Sequence, residues 1–467
     1  MVVTEKKTAA ALLFFLLLSA PILQAQQKIQ YSLSDYIDSA QHHLPVLLQK
    51  MAMVSAAKAG ITDARHSYLP NALVADELNL GTDNSLPGSY YSFGSIPSSS
   101  NGIRSYNDYQ SATGNIAIFQ SEFELLDFGL KKTKVHNAEA YANLSQADLN
   151  KEIYLAKWEV GKLYFDILKN QFQMGIDQQN VNRYEAIYQV IQAVTRSGIK
   201  AGADSSLALA ELSKSRISFN QTQGQIRQLQ QQLSYLTGIA VDMIAVDTVQ
   251  TKNYLSALDI LARGAYMDTI NNPLTDYYAK QKLLNLQEEE LVKKSYLPKV
   301  FLIGSGWARG SSIDYAGNYK SLDQGLGYQR FNYMVGATFV YDLFNGVHRK
   351  DKLTISHFNT IASDYDLQQQ KLALQNVGNK ADEAIRTAVK NLLEIPIQIK
   401  ASEDTYDQKI AQYRAGIINL IDLTNASFVV YRSQSDYVQT LSDWLLANLD
   451  RAAATGALDL FTQSIKK

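Results

Sequence analysis

Hydrophobic and polar residues alternate with a period of two in four short segments, and this alternation predicts β-strands. The predicted strands cover about 71–80, 114–126, 299–309 and 331–341. The last segment alternates most clearly, and one of its faces carries Phe331, Tyr333, Val335, Ala337, Phe339 and Tyr341. In the first segment the alternation is imperfect, because Asp76 shares a face with Ala72, Val74, Leu78 and Leu80.

Helices are predicted over 32–66, 131–196, 204–237, 257–295, 346–415 and 417–453. Apolar residues recur at helical spacing in 32–66, segment 131–196 is rich in helix-forming residues, and the second half of the chain repeats the plan of the first. Segment 131–196 contains no proline, so a single helix of ~66 residues and about 100 Å is expected. Helices of this length usually pack as coiled coils. The spacing of Ile226, Leu229, Leu233 and Leu236 fits the apolar seam of a coiled coil.

Prolines, glycines and one serine mark where these helices begin, bend and end. Ser34 is the expected cap of the first helix, and Pro45 marks either a kink or a new helix start. Pro396 is expected to kink the helix over 346–415. Glycines near 198 and 416 are expected to end the two long helices, because glycine adopts the left-handed conformation of a helix C-cap.

The two halves of the chain repeat the same order of short motifs. A Ser-Tyr-Leu-Pro segment occurs at 67–70 and at 295–298, an offset of 228, and the Pro45 and Pro273 motifs share that offset. Gly129 and Gly346 give an offset of 217, whereas the glycines at 198 and 416 and those at 238 and 456 give an offset of 218. These matches predict a duplicated helix–strand–strand–helix–helix unit with copies at 26–256 and 257–467.

The first 25 residues have the pattern of a secretory signal peptide, with Lys6 and Lys7 before the apolar stretch Ala9–Leu18. A short membrane anchor is the alternative. After residue 25 no apolar run approaches the ~18 residues that a spanning helix needs, so any membrane segment is expected to consist of strands.

There are no cysteines, which excludes disulfides, thiolate metal sites and lipidation of an N-terminal cysteine. The net charge of −1 gives no indication of nucleic-acid binding.

Four strands are too few to close a membrane barrel, because known barrels begin at about 8 strands and an open edge leaves polar groups unpaired in lipid. Three chains together would supply 12 strands. Aromatic residues cluster near the strand ends, as in an interfacial girdle: Tyr106, Tyr109, Tyr315, Tyr319, Tyr328, Tyr341 and Phe344. A soluble hairpin with ordinary surface tyrosines is the alternative reading of the same residues.

With these motifs in place, the mature chain resembles the TolC-like outer-membrane efflux proteins over its whole length. Both Ser-Tyr-Leu-Pro boundaries, both glycine turns after the strands, the Tyr-Arg-Ala-Gly turn at 413–416 and the Leu-Thr-Gly at 236–238 carry the resemblance. It implies a homotrimer with a 12-stranded barrel in outer-membrane lipid and a long α-helical barrel in the periplasm. It also implies an exit duct for efflux or type I secretion, joined through a periplasmic adaptor protein to an inner-membrane pump of the RND or ABC type.

The resemblance also implies roles for residues at the two helical turns. Gly198 and Gly416 match glycines at the tips that contact the adaptor. Asp204, Tyr413 and Asp422 match residues of a periplasmic gate. This chain departs from the family pattern in two places: Ile418 replaces a basic residue, and Asn425 replaces a second acidic one. Asp204 also fits a simple N-cap of the returning helix.

Catalytic and cofactor motifs are not found in the sequence. The six histidines form no spaced ligand motif, and neither a P-loop nor a nucleophile elbow occurs, so we expect no enzyme activity, cofactor or metal. Two functions remain: a passive export channel, and a coiled-coil surface or adhesive protein without a pore. Heat-resistant trimers and conductance in planar bilayers would distinguish the channel.

Overall fold

The computed structural model describes residues 31–84, 105–196, 202–246 and 272–466. In these ranges the helices are α1 Leu33–His43, α2 Pro45–His66, α3 Leu130–Arg196, α4 Gly202–Thr237, α5 Pro273–Ser295, α6 Asn345–Arg414, α7 Leu420–Thr455 and α8 Leu458–Lys466. The strands are β1 Asn71–Gly81, β2 Ala112–Leu126, β3 Lys299–Ser311 and β4 Arg330–Val340. The predicted signal peptide, Gly198 and the start of the helix predicted at 257–295 lie outside the described residues.

The predicted strands and long helices are confirmed, and the mixed α and β fold class with them. By their contacts, the residues divide into two compact units. The helical unit contains Met1–Lys50, Leu149–Asp276 and Gln369–Lys467, and the sheet unit contains Met51–Asp148 and Tyr277–Gln368.

In the sheet unit, the four strands form one antiparallel sheet in the order β1-β2-β3-β4. Leu126 at the end of β2 pairs with Val300, and Val340 at the end of β4 pairs with Lys299. All four strands therefore join their helices at the same end of the sheet. The register shifts once, between Glu124 and Leu126.

The strands expose apolar side chains to an unusual degree. Every residue of β4 is exposed, and Tyr333 reaches 87%. On β1, Val74 is 79% exposed. Large exposed apolar areas of this kind mark a surface that another molecule or a membrane covers.

The core of the helical unit consists mainly of residues of α3 and α7, with further residues from the other helices of the unit. Trp444, Tyr164 and Phe165 are almost fully buried there. The Tyr154 hydroxyl donates to the Ala453 carbonyl at 2.7 Å, which satisfies its polar atom inside the core. Gly161 permits this close packing, because a Cβ at that position would lie 3.0 Å from Leu449 Cδ1.

The start of the first helix differs from the prediction. Ser32, not Ser34, is the N-cap: its hydroxyl accepts from the Asp35 backbone N–H, and the Asp35 carboxylate accepts from the Ser32 backbone N–H in return. This reciprocal capping box has the sequence pattern Ser-x-x-Asp, so the signal was present at 32–35. Leu44 then adopts an extended conformation, as residues before proline do, and Pro45 starts a new helix.

Two further features concern the second half. Helix α6 continues through Pro396 over its full length of 70 residues. Gly456 adopts a left-handed conformation after α7, and the short helix α8, which was not predicted, follows it. None of the helices in the described ranges is long and apolar enough to cross a membrane.

Candidate site at the helix tips

The turn between α6 and α7 is a regular helix C-cap followed by a helix N-cap. Gly416 has a φ of +75°. Its N–H donates to the Tyr413 carbonyl at 3.0 Å, and the Ile417 N–H donates to the Gln412 carbonyl at 2.9 Å. These are the two hydrogen bonds of a Schellman motif, so the predicted capping role of Gly416 is confirmed. Asn419 then caps α7 by accepting from the Asp422 N–H at 2.9 Å.

The turn between α3 and α4 is described only beyond residue 201, and Gly198 lies outside the described residues. Helix α4 begins at Gly202, and Asp204 lies within its first turn. The alternative interpretation of Asp204 as the N-cap residue is therefore wrong. A carboxylate in the first turn still stabilises a helix, because it interacts with the positive end of the helix dipole.

Both helix pairs contribute to one apolar cluster near the tips. Its buried members come from four helices: Val181, Tyr184, Ile187, Ile191, Ala208, Leu212, Tyr413, Leu420 and Leu423. The Tyr413 side chain is buried in this cluster, and only 9% of it is exposed. Burial raises the pKa of Tyr413, and the negative charge of Asp204 raises it further. The fold thus brings Tyr413 and Asp204, which are distant in sequence, into electrostatic contact.

Asp422 and Asn425 lie on the surface of α7, and both side chains are exposed. They are three residues apart, so they share one face of the helix. The exposed residues Ile421 and Phe428 flank them on the same side, at 57% and 52% exposure. In the single chain, no described residue covers this face of α7.

A buried carboxylate that was not predicted from the sequence joins three helices. Asp177 on α3 is 1% exposed. It accepts hydrogen bonds from Thr222 of α4 at 2.6 Å, Tyr431 of α7 at 2.9 Å and Gln173 at 2.9 Å. No lysine or arginine of the described residues lies within ion-pair distance of it. We call Asp177, Gln173, Thr222 and Tyr431 the Asp177 network.

Burial raises the pKa of Tyr431, and its hydrogen bond to Asp177 raises the pKa further, although the contact with Ser218 acts in the opposite direction. The phenol therefore remains a donor to the carboxylate. The only hint of this network in the sequence is the spacing of Gln173 and Asp177, which places them on neighbouring turns of one helix.

Part of the chain matches a known protein family. Residues 36–239 match the family model of outer membrane efflux proteins. The fold is similar to that of the outer membrane protein VceC from Vibrio cholerae, with a TM-score of 0.71 and 12% identity over 91% of this chain and 96% of that chain. It is also similar to the CmeC outer membrane channel of Campylobacter jejuni, with a TM-score of 0.71 and 13% identity over 93% and 89% of the two chains.

The MtrE outer membrane channel of Neisseria gonorrhoeae, solved in its open state, gives a TM-score of 0.65 at 14% identity over 91% and 89% of the two chains. No curated protein sequence matches the chain significantly. The family match and the shared fold together confirm the resemblance to the TolC-like proteins. The chain is therefore similar to the outer membrane efflux proteins in the sequence of residues 36–239 and in its fold.

Proposed function

We propose that three copies of this chain share one 12-stranded barrel and form the outer-membrane exit duct of a tripartite efflux or type I secretion system. The observation that carries the proposal is the four-stranded sheet. Among the described residues, β1 and β4 each pair on one side only, and apolar side chains on them are exposed, such as Val74, Phe331 and Phe339. In lipid, unpaired edges are costly, so β4 of one copy is expected to pair with β1 of the next.

The bounds of the helices and strands support a duplicated unit. The starts of helices α2 and α5 keep the offset of 228 that the proline motifs show, and so do the starts of strands β1 and β3. Helices α4 and α7 keep the offset of 218 at their starts and at their ends. The predicted copies, 26–256 and 257–467, would then each contribute two strands and one helical hairpin.

One detail of the predicted repeat needs adjustment. Asp127 accepts from the backbone N–H two residues on, and Asp342 does the same. Helices α3 and α6 follow each aspartate at the same distance, which favours an offset of 215 at this turn. Gly346 is then the second residue of α6 and not the counterpart of the left-handed Gly129.

The tips are proposed to contact the adaptor through Gly198 and Gly416 and to form the periplasmic gate. Threefold symmetry would arrange three copies of Asp422 around one axis. Like charges in a narrow ring repel each other, so the closed state needs compensating contacts or bound cations. Because Asn425 is neutral, this ring would carry a single charge per chain. The buried Tyr413 near Asp204 would hold the two helix pairs of one chain together.

Cysteine crosslinking tests the shared barrel directly, because the chain has no cysteine of its own. Cys introduced at Val74 of β1 would be combined in turn with Cys at Tyr333, Met334, Val335 or Gly336 of β4. Oxidation in native membranes should give crosslinked dimers and trimers for at least one pair. If every pair stays monomeric while the protein is folded in the membrane, the shared barrel is contradicted.

Conductance tests the duct. Purified trimers in planar bilayers should conduct ions, whereas a coiled-coil adhesive protein should not. A stable trimer without any conductance would exclude the channel. The class of the pump, RND or ABC, is best tested by co-purification of this protein with candidate adaptor proteins of each class.

A further inference from the structure

Two exposed basic segments lie at the helical end of the sheet. Strands β2 and β4 both end there, as their pairing with the start of β3 requires. Helix α3 begins at Leu130 and α6 at Asn345, just after these strands. Both basic segments lie within the first eight residues of these two helices and belong to the sheet unit.

The turns between strand and helix expose large apolar side chains. Phe128 is 54% exposed before α3. Before and within the first turn of α6, Leu343 is 84% exposed, Phe344 72% and Val347 63%. They continue the exposed apolar surface of the strands to the point where the helices begin.

Exposed lysines follow directly. Lys132 and Lys134 are the third and fifth residues of α3, and Lys350 and Lys352 are the sixth and eighth residues of α6. We call these four residues the basic collar. None of them has a carboxylate within ion-pair distance in the described part of the chain. The two nearby aspartates before the helices are engaged elsewhere, since Asp127 accepts from the Gly129 and Lys131 backbone and Asp342 from that of Phe344.

The folded chain itself does not explain these charges. Lys132 lies in the first turn of α3, where a cation faces the positive end of the helix dipole, which is unfavourable. The other three lysines lie beyond the first turn and have no ion-pair partner among the described residues. The neighbouring Lys131, by contrast, has contacts within the folded chain. It is buried, donates to the Glu124 carbonyl at 3.2 Å and lies 4.9 Å from the centre of the Phe123 ring.

We propose that the basic collar binds the phosphate headgroups of anionic phospholipids in the periplasmic leaflet of the outer membrane. Exposed aromatic and aliphatic residues followed by lysines are the arrangement of a membrane interface, with apolar groups at the acyl boundary and cations among the headgroups. The lysines are spread over two separate helix starts and do not converge on one pocket, which favours a lipid surface over a single bound anion. The inference rests on the proposed membrane-spanning sheet.

The test uses the purified full-length protein and vesicles of phosphatidylcholine with or without phosphatidylglycerol. Replacing Lys132, Lys134, Lys350 and Lys352 together by Gln should weaken binding of phosphatidylglycerol about tenfold or more. The binding difference should shrink at high salt, because exposed charges are screened. A control variant with the same charge change, carrying Gln at Lys214, Lys371, Lys380 and Lys390 of the helical unit, should bind phosphatidylglycerol normally.

Three further measurements separate the outcomes. A variant with Arg at all four collar positions should keep the binding, because it keeps the charge. Inorganic phosphate at millimolar concentration should not compete; if it does, the site binds free anions and the lipid proposal is wrong. Unchanged phosphatidylglycerol binding by the Gln variant would also overturn it. Trimer formation and conductance of the Gln variant report on the barrel independently, so a failure of the duct proposal is recognised separately.

Discussion

The Asp177 network allows a quantitative test of the helical unit. Thr222→Val removes one hydroxyl and keeps the shape of the side chain. The Thr222 hydroxyl lies 2.6 Å from Asp177 Oδ2, and the residue is 9% exposed. A hydrogen bond to a buried charged group contributes about 1.5–3 kcal/mol, so the variant should lose about that much free energy of unfolding. Tyr431 and Gln173 continue to donate to the carboxylate, which limits the loss.

The assay is denaturant unfolding of the full-length protein in detergent, followed by circular dichroism at the helical band. Thr405→Val is the matched control. Thr405 is also a threonine within a helix of the helical unit, but it is exposed, and its hydroxyl donates only to the Ala401 carbonyl of its own helix. Substitutions at exposed sites usually change stability by no more than about 0.5 kcal/mol.

A double-mutant cycle identifies the partner. If Thr222 acts through the carboxylate, Thr222→Val should cost less in an Asp177→Asn background, with a coupling of about 0.5–3 kcal/mol. Equal costs in the two backgrounds would show that the hydroxyl stabilises the protein through another contact. A cost equal to that of the Thr405 control would refute the network as a stabilising feature.

Three other predictions concern the tips and the core. Gly416→Val should impair export but leave trimers intact, because a β-branched residue is strained at a φ of +75°. Gly416→Asn should be tolerated, and equal export by the two variants would contradict this prediction. Asp422→Ala should raise single-channel conductance or weaken block by divalent cations, and wild-type behaviour would remove Asp422 from the constriction. Burial raises the pKa values of Tyr36 and Tyr154, so both contribute stability below about pH 10 that is lost as the pH rises further. Alkaline unfolding of Tyr36→Phe and Tyr154→Phe should therefore depend less on pH than that of the wild type.

Most of the helices and strands can be predicted from local sequence patterns. Period-two alternation predicted the four strands, and runs without proline predicted α3 and the other long helices. Such patterns predict secondary structure because the backbone conformation of a segment depends largely on the residue types within that segment. The end of α6 was likewise predictable, because glycine adopts the left-handed conformation of Gly416 without help from neighbouring elements. The N-cap at Ser32 was also predictable from the sequence, because the Ser32–Asp35 capping-box pattern lies within four consecutive residues.

The site depends on tertiary structure to a larger degree. Thr222 and Tyr431 are 45 and 254 positions from Asp177 in the chain, and only the packing of α3, α4 and α7 brings them to one carboxylate. In the same way, Tyr413 is buried because both helix pairs supply its neighbours. A sequence pattern indicates which face of a helix is apolar, but not which helix will cover it. Whether a given polar side chain is buried and paired is therefore decided by the neighbours that the fold supplies.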